Sequence, residues 1–130
     1  MIVVDASAMI EVLRRTPAAE GVEQRLFDPR QTLHAPHLID IEVAQVIRRL
    51  AARGEVDEAR GRAALADLSD FPLRRYPHDI LLPRIWKLRS SLTAYDAAYV
   101  ALAEALDATL VTRDGRLAAA SGHQARVELV

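Results

Sequence analysis

Apolar and polar positions along the chain form two kinds of segment. Short runs of β-branched and other apolar residues predict buried strands. Five such runs occur: IVVD (2–5), TLHAP (32–36), LRRYP (73–77), TLV (109–111) and RVELV (126–130). Longer segments with helical periodicity lie between them, and short strands that alternate with helices predict an α/β sandwich around a mostly parallel sheet.

The predicted helices fill the segments between these strands. The clearest is TAYDAAYVALAEALD (93–107), whose alanines and leucines form one apolar stripe. Gly54 is the predicted C-cap of a second clear helix. The full set of further helical segments is ASAMIEVLRR (6–15), AAEGVEQRLF (18–27), LIDIEVAQVIRRLAARG (38–54), VDEARGRAALADL (56–68) and HDILLPRIWKLRSSL (78–92). Because we find no repeat, low-complexity tract or linker, we predict one domain over residues 1–130.

The amino-acid composition mainly excludes certain kinds of site and of protein. The 130 residues include no cysteine, which excludes disulfides, zinc–thiolate sites and thiol catalysis. No apolar run approaches the ~18 residues of a membrane span, and the start has neither a basic region nor a cleavage site. We therefore expect a cytoplasmic protein without a membrane segment. Its net charge of −1 does not indicate a bulk nucleic-acid binder.

Acidic residues recur at one predicted edge of the sheet. In a parallel sheet with right-handed crossovers, the carboxyl ends of the strands and the N-termini of the following helices share an edge, and ligands bind there. Asp5 ends the first strand, and Asp114 follows TLV closely. Glu42 and Asp96 lie near the starts of two predicted helices. All four acids therefore map to the same edge.

Each of these acids also has a purely structural explanation. Asp5 fits an N-cap, and Glu42 fits a favourable place in the helix dipole. Thr93 and Asp96 resemble a capping box, and Asp114 begins a common Asp–Gly turn. A shared function is favoured because four distant parts of the chain supply acids to one edge. A carboxylate that ends a buried strand must also meet solvent, a donor or a cation.

The acids predict a metal site. Four carboxylates in close proximity repel one another and raise one another's pKa. A cluster of oxygen ligands, with no cysteine and no suitably spaced histidine, favours Mg²⁺ or Mn²⁺ over Zn²⁺. We interpret all four histidines as surface or capping residues. The chemistry suggested is metal-assisted attack of water on a phosphodiester.

The order of four stretches of the chain resembles the PIN domain. These stretches are VVDAS, IDIEVAQVIRRL, LTAYDAAYVALAEAL and TLVTRDGRL. The chain's size is similar to that of the VapC-type toxins of bacterial VapBC toxin–antitoxin modules. The resemblance covers essentially the whole chain. It implies a compact three-layer α/β/α sandwich with a central sheet of four to five strands, and a Mg²⁺- or Mn²⁺-dependent endoribonuclease.

The resemblance also implies roles for individual residues. Carried over by position, the family's catalytic acidic quartet corresponds to Asp5, Glu42, Asp96 and Asp114. We expect the three aspartates to hold the metal directly or through water, and Glu42 to orient or deprotonate the attacking water or to complete the shell. Two supporting polar positions of the family correspond to Ser7 and Thr112.

The family resemblance further implies partners. These are a VapB-type antitoxin whose C-terminal segment covers the toxin, a structured RNA such as transfer or ribosomal RNA, and a second copy in a homodimer. An exposed apolar groove is expected, with candidates on segment 38–69 at Val46, Ile47, Leu50 and Leu65. Candidate contacts to RNA phosphates are Arg48, Arg49, Arg113 and Arg116. The alternative for these arginines is a solvated helix face.

The sequence leaves two other functional classes open. One is another acid-based phosphoryl-transfer enzyme. A phosphatase of the haloacid dehalogenase type needs a second aspartate where this chain has Ser7. A receiver domain needs a lysine at the end of a late strand, whereas the only lysine here, Lys87, lies in a predicted helix. The other is a non-catalytic binding module that keeps the acids for structure, which metal titration would reveal.

Overall fold

The centre of the protein is a five-stranded sheet. The computed structural model describes residues 1–130, and its strands are β1 (Ile2–Val4), β2 (Leu33–Pro36), β3 (Leu73–Tyr76), β4 (Thr109–Thr112) and β5 (Val127–Leu129). Their order across the sheet is β3–β2–β1–β4–β5, and every pairing is parallel. The five predicted strands and the parallel sheet are confirmed.

Seven α-helices cover the sheet. They are α1 (Ala6–Arg14), α2 (Glu20–Leu26), α3 (Leu38–Ala52), α4 (Glu58–Asp70), α5 (Leu82–Lys87), α6 (Ala94–Leu106) and α7 (Gly115–Ala119). Helix α1 packs against α2, α3 and α4, whereas α5 packs along α6, which lies against β1, β2 and β4. Helices, sheet and helices form the predicted α/β/α sandwich. None of the helices has both the length and the apolar character needed to cross a membrane.

The core includes a continuous buried region where β1 meets α6. All three residues of β1 are fully buried, because strands flank it on both sides and helices cover it. Helix α6 is buried continuously from Ala97 to Ala103. The sequence predicted a single apolar stripe on this helix, and the difference arises because α5 covers the side that an isolated helix would leave to solvent.

The segment 78–92 is less helical than predicted. A 3₁₀ turn at Asp79–Leu81 precedes α5, which ends at Lys87. Pro83 stands in the first turn of α5, as expected. The helix stops because Leu88 turns into the core, where it is 2% exposed, and the chain continues as turns towards α6.

The histidine interpretation is right for His78 and wrong for His34. His78 caps α3, since its Nε2 accepts a hydrogen bond of 2.8 Å from the backbone N–H of Leu38. His34, in contrast, is buried in β2. Its Nε2 lies 2.8 Å from the Thr32 hydroxyl and its Nδ1 lies 2.7 Å from the Tyr76 hydroxyl. Both ring nitrogens are therefore satisfied without water, which makes the burial tolerable.

Candidate active site

The four predicted acids lie at one edge of the sheet. Asp5 directly follows β1, and Asp114 follows the neighbouring strand β4. Glu42 lies early in α3, and Asp96 lies in the first turn of α6. The chain crosses from β1 to β2 on one side and reaches β4 on the other, so this edge is a topological switch point, where open α/β sheets bind ligands. We call these four residues the acidic edge.

Asp5 is the most buried acid of this edge, at 5% exposure. One carboxylate oxygen accepts hydrogen bonds from the backbone N–H of Ala8, at 3.0 Å, and from the hydroxyl of Ser7, at 2.7 Å. The other oxygen accepts a hydrogen bond of 2.5 Å from the hydroxyl of Thr112. Asp5 therefore caps α1, as its structural explanation required, and it is also fixed from the adjacent strand.

The two supporting hydroxyls join the strand ends. Besides donating to Asp5, Thr112 accepts a hydrogen bond of 2.9 Å from the backbone N–H of Asp114. Ser7 accepts one of 2.9 Å from the backbone N–H of Arg113. The loop that carries Asp114 is thereby tied to the first turn of α1. Ser7 and Thr112 thus contact Asp5 and the loop that carries Asp114, and their supporting role in catalysis stays a prediction.

The other acids are held differently. One oxygen of Asp114 accepts hydrogen bonds from the backbone N–H groups of Arg116 and Leu117, at 2.9 and 3.4 Å, so Asp114 caps α7. The carboxylate of Asp96 receives no hydrogen bond from the protein, although its backbone N–H donates to the cap residue Thr93. Asp96 thus presents the least restrained carboxylate of the edge.

Glu42 is bound by a residue that the sequence reasoning missed. The hydroxyl of Tyr99, in α6, donates a hydrogen bond of 2.6 Å to Oε1 of Glu42. Tyr99 itself is 2% exposed. A signal was present in the sequence, because a tyrosine three residues after Asp96 lies on the same face of a helix.

The acids influence one another electrostatically. Burial raises the pKa of Asp5, and the charge of Asp114 adds to the increase, while hydrogen bonds from Thr112, Ala8 and Ser7 oppose it. Burial likewise raises the pKa of Asp96, and the charges of Asp114 and Asp5 raise it further. The acids therefore lie close enough to repel one another.

Glu42 belongs to the same electrostatic cluster. Burial raises its pKa, the charges of Asp96 and Asp5 add to the increase, and the hydrogen bond from Tyr99 opposes it. None of the four acids takes part in a salt bridge. The edge thus concentrates negative charge that no basic side chain neutralises by direct contact.

The donor set fits a hard divalent cation. All the candidate ligands are carboxylate oxygens, which suit Mg²⁺ or Mn²⁺. No three Asp, Glu or His side chains converge closely enough to enclose one ion directly. Mg²⁺ commonly keeps several waters and takes only one or two carboxylates from a protein. The acidic edge therefore fits an ion that is held in part through water.

The predicted arginines lie in two places. Arg116 in α7 is close enough to Asp96 for its positive charge to lower the pKa of that carboxyl. Arg113 is exposed beside it, and its guanidinium donates a hydrogen bond of 3.3 Å to the backbone oxygen of Val130. These two arginines flank the acidic edge.

The second arginine pair is more distant. Arg48 and Arg49 are exposed and lie about 10 Å beyond Glu42 along the axis of α3. Arg48 lines a groove between α3 and α4. We call this the α3–α4 groove; its apolar lining is Ala44, Ile47, Ala51, Val56 and Leu65. Arg48 thus belongs to the groove side of the molecule, whereas Arg49 does not line the groove.

The apolar candidates on this side divide between core and surface. Ile47 is 4% exposed and belongs to the core, while Val46, Leu50 and Leu65 are half-buried. Of these candidates only Ile47 and Leu65 line the α3–α4 groove, and Val46 and Leu50 do not.

Known proteins are similar to this chain over its whole length. The sequence model of the PIN domain matches residues 2–122. Ribonuclease VapC9 of Mycobacterium tuberculosis is 45% identical over 130 residues, covering 100% of this chain and 98% of that protein. Ribonuclease VapC12 of the same species is 43% identical over 130 residues, covering 100% of this chain and 99% of that protein.

Two solved structures share the fold. PAE2754 from Pyrobaculum aerophilum superposes with a TM-score of 0.69 at 28% identity, covering 97% of this chain and 81% of that one. VapC20 from M. tuberculosis, a toxin that cleaves the sarcin–ricin loop, gives a TM-score of 0.69 at 18% identity and covers 92% of this chain and 94% of that one. The resemblance noted in the sequence is confirmed, and the chain belongs to the PIN domain family, among the VapC-type ribonucleases.

Proposed function

We propose that this protein is the toxin of a type II toxin–antitoxin module and acts as a Mg²⁺- or Mn²⁺-dependent endoribonuclease. The observation that carries the proposal is the acidic edge, where Asp5, Glu42 and Asp96 share raised pKa values and none forms a salt bridge. Such uncompensated charge is suited to a cation and to the phosphate oxygens that a cation recruits.

The residues at the acidic edge are proposed to have different roles in catalysis. Asp5, Asp96 and Asp114 would hold the metal, which when bound activates water and stabilises charge on the phosphate. Ser7 and Thr112 fix Asp5 and the backbone of Asp114. Glu42 orients the attacking water and accepts its proton.

The substrate is proposed to be a structured RNA of the transfer or ribosomal class. Its support is the similarity in fold to VapC20, a toxin that cleaves the sarcin–ricin loop. Arg113 and Arg116 flank the acidic edge and would contact backbone phosphates. Because cellular RNA is the substrate, the proposed place of action is the cytoplasm.

Cleavage assays test the catalytic proposal. Purified protein is incubated with transfer and ribosomal RNA and Mg²⁺ or Mn²⁺, and Asp5→Asn and Asp96→Asn are compared with the wild type. Asp107→Asn is the matched control, because Asp107 is an exposed acid at the end of α6 away from the edge. Loss of cleavage in the first two variants alone supports the proposal, and equal cleavage by all four proteins contradicts it.

A non-catalytic binding module is the second candidate. It is favoured by one observation: Asp5 and Asp114 already cap helices, which gives both a structural role. Thermal unfolding during Mg²⁺ and Mn²⁺ titration separates the candidates, since an ion that binds only the native state raises Tm. An unchanged Tm at several millimolar metal favours the binding module.

We further propose two protein partners. A VapB-type antitoxin would place a segment in the α3–α4 groove, as the apolar lining of that groove favours. A second copy would bind at α5 and the 3₁₀ turn before it, where Ile80, Leu82 and Trp86 are each more than half exposed. Sedimentation velocity tests the homodimer: Trp86→Glu should shift a dimer to a monomer, and a wild-type monomer at high concentration would contradict it.

A further inference from the structure

The hydroxyl of Tyr99 lies at a meeting point of three helices. It donates to Oε1 of Glu42 over 2.6 Å, which connects α6 to α3. Burial raises the pKa of this phenol, and Glu42 raises it further, whereas the backbone amide of Ala6 opposes the increase, which places the first turn of α1 beside the same oxygen. The tyrosine ring is almost completely buried. One phenol thereby fixes a side chain of the acidic edge from inside the core.

The same helix supplies Asp96 and Tyr99. They are three residues apart and lie on one face of α6. Asp96 is the acid without a protein donor, whereas Glu42 has a single donor, which is Tyr99. The bond occupies Oε1 of Glu42 and leaves its Oε2 without a partner in the protein.

We propose that Tyr99 is a positioning residue for catalysis: its hydroxyl holds Glu42 by one carboxylate oxygen and leaves the other free to orient the attacking water. This inference rests on the proposed function, because it assigns Tyr99 a role through Glu42. The phenol donates its proton to the carboxylate and does not react with substrate.

Packing alone does not account for a tyrosine at this position. Phenylalanine would fill the same volume, whereas a buried hydroxyl adds a desolvation cost unless it finds a partner. Here the partner is an acid of the edge, at a distance typical of a strong bond to a charged acceptor. The bond also opposes the increase in the pKa of Glu42 that burial and the neighbouring acids cause, which favours the ionised form that a base requires.

Tyr99→Phe removes only the hydroxyl and is the principal test. Single-turnover cleavage should be slower by about 10- to 100-fold, the usual loss when a partner of an active-site ligand is removed. RNA affinity should stay within about twofold, because the phenol does not contact substrate. Tyr76→Phe is the matched control: it removes another partly buried hydroxyl, bonded to His34 over 2.7 Å, outside the acidic edge.

A double-mutant cycle shows whether Tyr99 acts through Glu42. If it does, adding Tyr99→Phe to Glu42→Gln causes no further loss of rate, because the two side chains act as a unit. A merely structural role predicts instead that the losses multiply. Equal single-turnover rates for Tyr99→Phe and a wild type that cleaves RNA would overturn the inference and leave the proposed function intact.

Proton NMR of the metal-free protein gives a readout that does not depend on cleavage. The buried, hydrogen-bonded Tyr99 hydroxyl should give a downfield resonance that disappears in Tyr99→Phe and shifts upfield in Glu42→Gln. A resonance that Glu42→Gln leaves in place would overturn the inference. If the wild type cleaves no RNA at all, the proposed function fails and the catalytic role of Tyr99 fails with it.

Discussion

The hydroxyl of Thr112 serves two acids of the edge at once. It donates to the carboxylate of Asp5 and accepts from the backbone N–H of Asp114. Thr112 is fully buried, so its hydroxyl is out of contact with surface water and depends on its protein partners. A single side chain thus connects Asp5 to the backbone of Asp114, the first and last members of the acidic edge along the chain.

Thr112→Val is expected to damage both stability and activity. Valine keeps the shape but leaves a buried acceptor and a buried donor unpaired, which should reduce the free energy of unfolding by about 1–3 kcal/mol. Chemical denaturation and RNA cleavage measure the two effects. The control is Thr109→Val in the same strand, whose hydroxyl makes no hydrogen bond within the protein. Equal losses in both variants would contradict the assigned role.

Asp96→Asn should stabilise the metal-free protein while it abolishes cleavage. Burial and neighbouring acids raise the pKa of Asp96 in the folded state, so the folded protein binds its proton more tightly than the unfolded chain does. Ionisation therefore costs stability as pH rises above about 4. Removing the charge should raise Tm by a few degrees at pH 7.

Thermal unfolding in a chelator checks this sign. The gain of Asp96→Asn over the wild type should shrink as pH falls to about 4, where the wild-type acids become protonated. The exposed Asp107→Asn should show no comparable gain at either pH. A decrease in Tm for Asp96→Asn at pH 7 would show that repulsion at the acidic edge is not what limits stability.

Among the secondary-structure elements, β2 contains a buried histidine, His34, whose side chain ionises near neutral pH in the unfolded chain. Burial lowers the pKa of His34, and the positive charges of the N-terminus and of Arg74 lower it further. The folded state thus favours the neutral imidazole. The stability that this neutral state contributes is present above the unfolded pKa of about 6.5 and is lost as pH falls through the folded value.

His34→Gln should reduce the acid sensitivity of folding. Glutamine retains a donor and an acceptor for Thr32 and Tyr76 but does not ionise. The decrease in Tm between pH 7.5 and pH 5 should therefore be smaller in His34→Gln than in the wild type. His37→Gln, at an exposed position, is the control and should keep the wild-type dependence. Parallel pH profiles for all three proteins would refute the assignment.

The strands and most helices followed from local patterns in the sequence. The run of Ile2–Val4 is apolar on both faces, as a central parallel strand requires. Gly54 ends α3 with φ +73°, as its predicted capping role needs. The length of α5 did not follow, because the inward turn at Leu88 depends on a core that only the assembled fold supplies.

The sequence predicted those parts of the site whose positions depend on the topology of the sheet. Asp5 and Asp114 were placed together because the carboxyl ends of parallel strands share an edge. The bond between Tyr99 and Glu42 joins α6 to α3, and no rule of periodicity relates residues of two separate helices. The burial of His34 was missed for the same reason, since its partner Tyr76 lies on another strand.

For the whole molecule, the α3–α4 groove is separate from the acidic edge along α3. The groove is lined by residues of α3 from Ala44 onwards, of the connection to α4 and of α4, whereas Glu42 lies nearer the start of α3 and does not line it. An antitoxin segment bound in the groove would therefore reach the acids only by extending along the helix. Binding and inhibition should be separable by mutation.

Ala51→Trp should weaken antitoxin binding without reducing cleavage by the free toxin. Ala51 is exposed and lines the groove, so a large side chain there fills the groove at little cost to folding. Ala66→Trp is the control, because Ala66 is exposed on α4 and does not line the groove. Calorimetric titration with the cognate antitoxin measures the effect, and equal affinity for both variants would exclude the groove as the binding surface.

The four acids of the edge lie directly after β1, in α3, in α6 and in the loop after β4. Asp114 reaches Asp5 only after β4 has paired with β1. A nascent chain on the ribosome therefore lacks a complete site until nearly all of it has been synthesised and has left the exit tunnel. For the toxin proposed above, translation itself would delay the appearance of activity, and an antitoxin that recognised α3 and α4 would bind residues that are synthesised before Asp114.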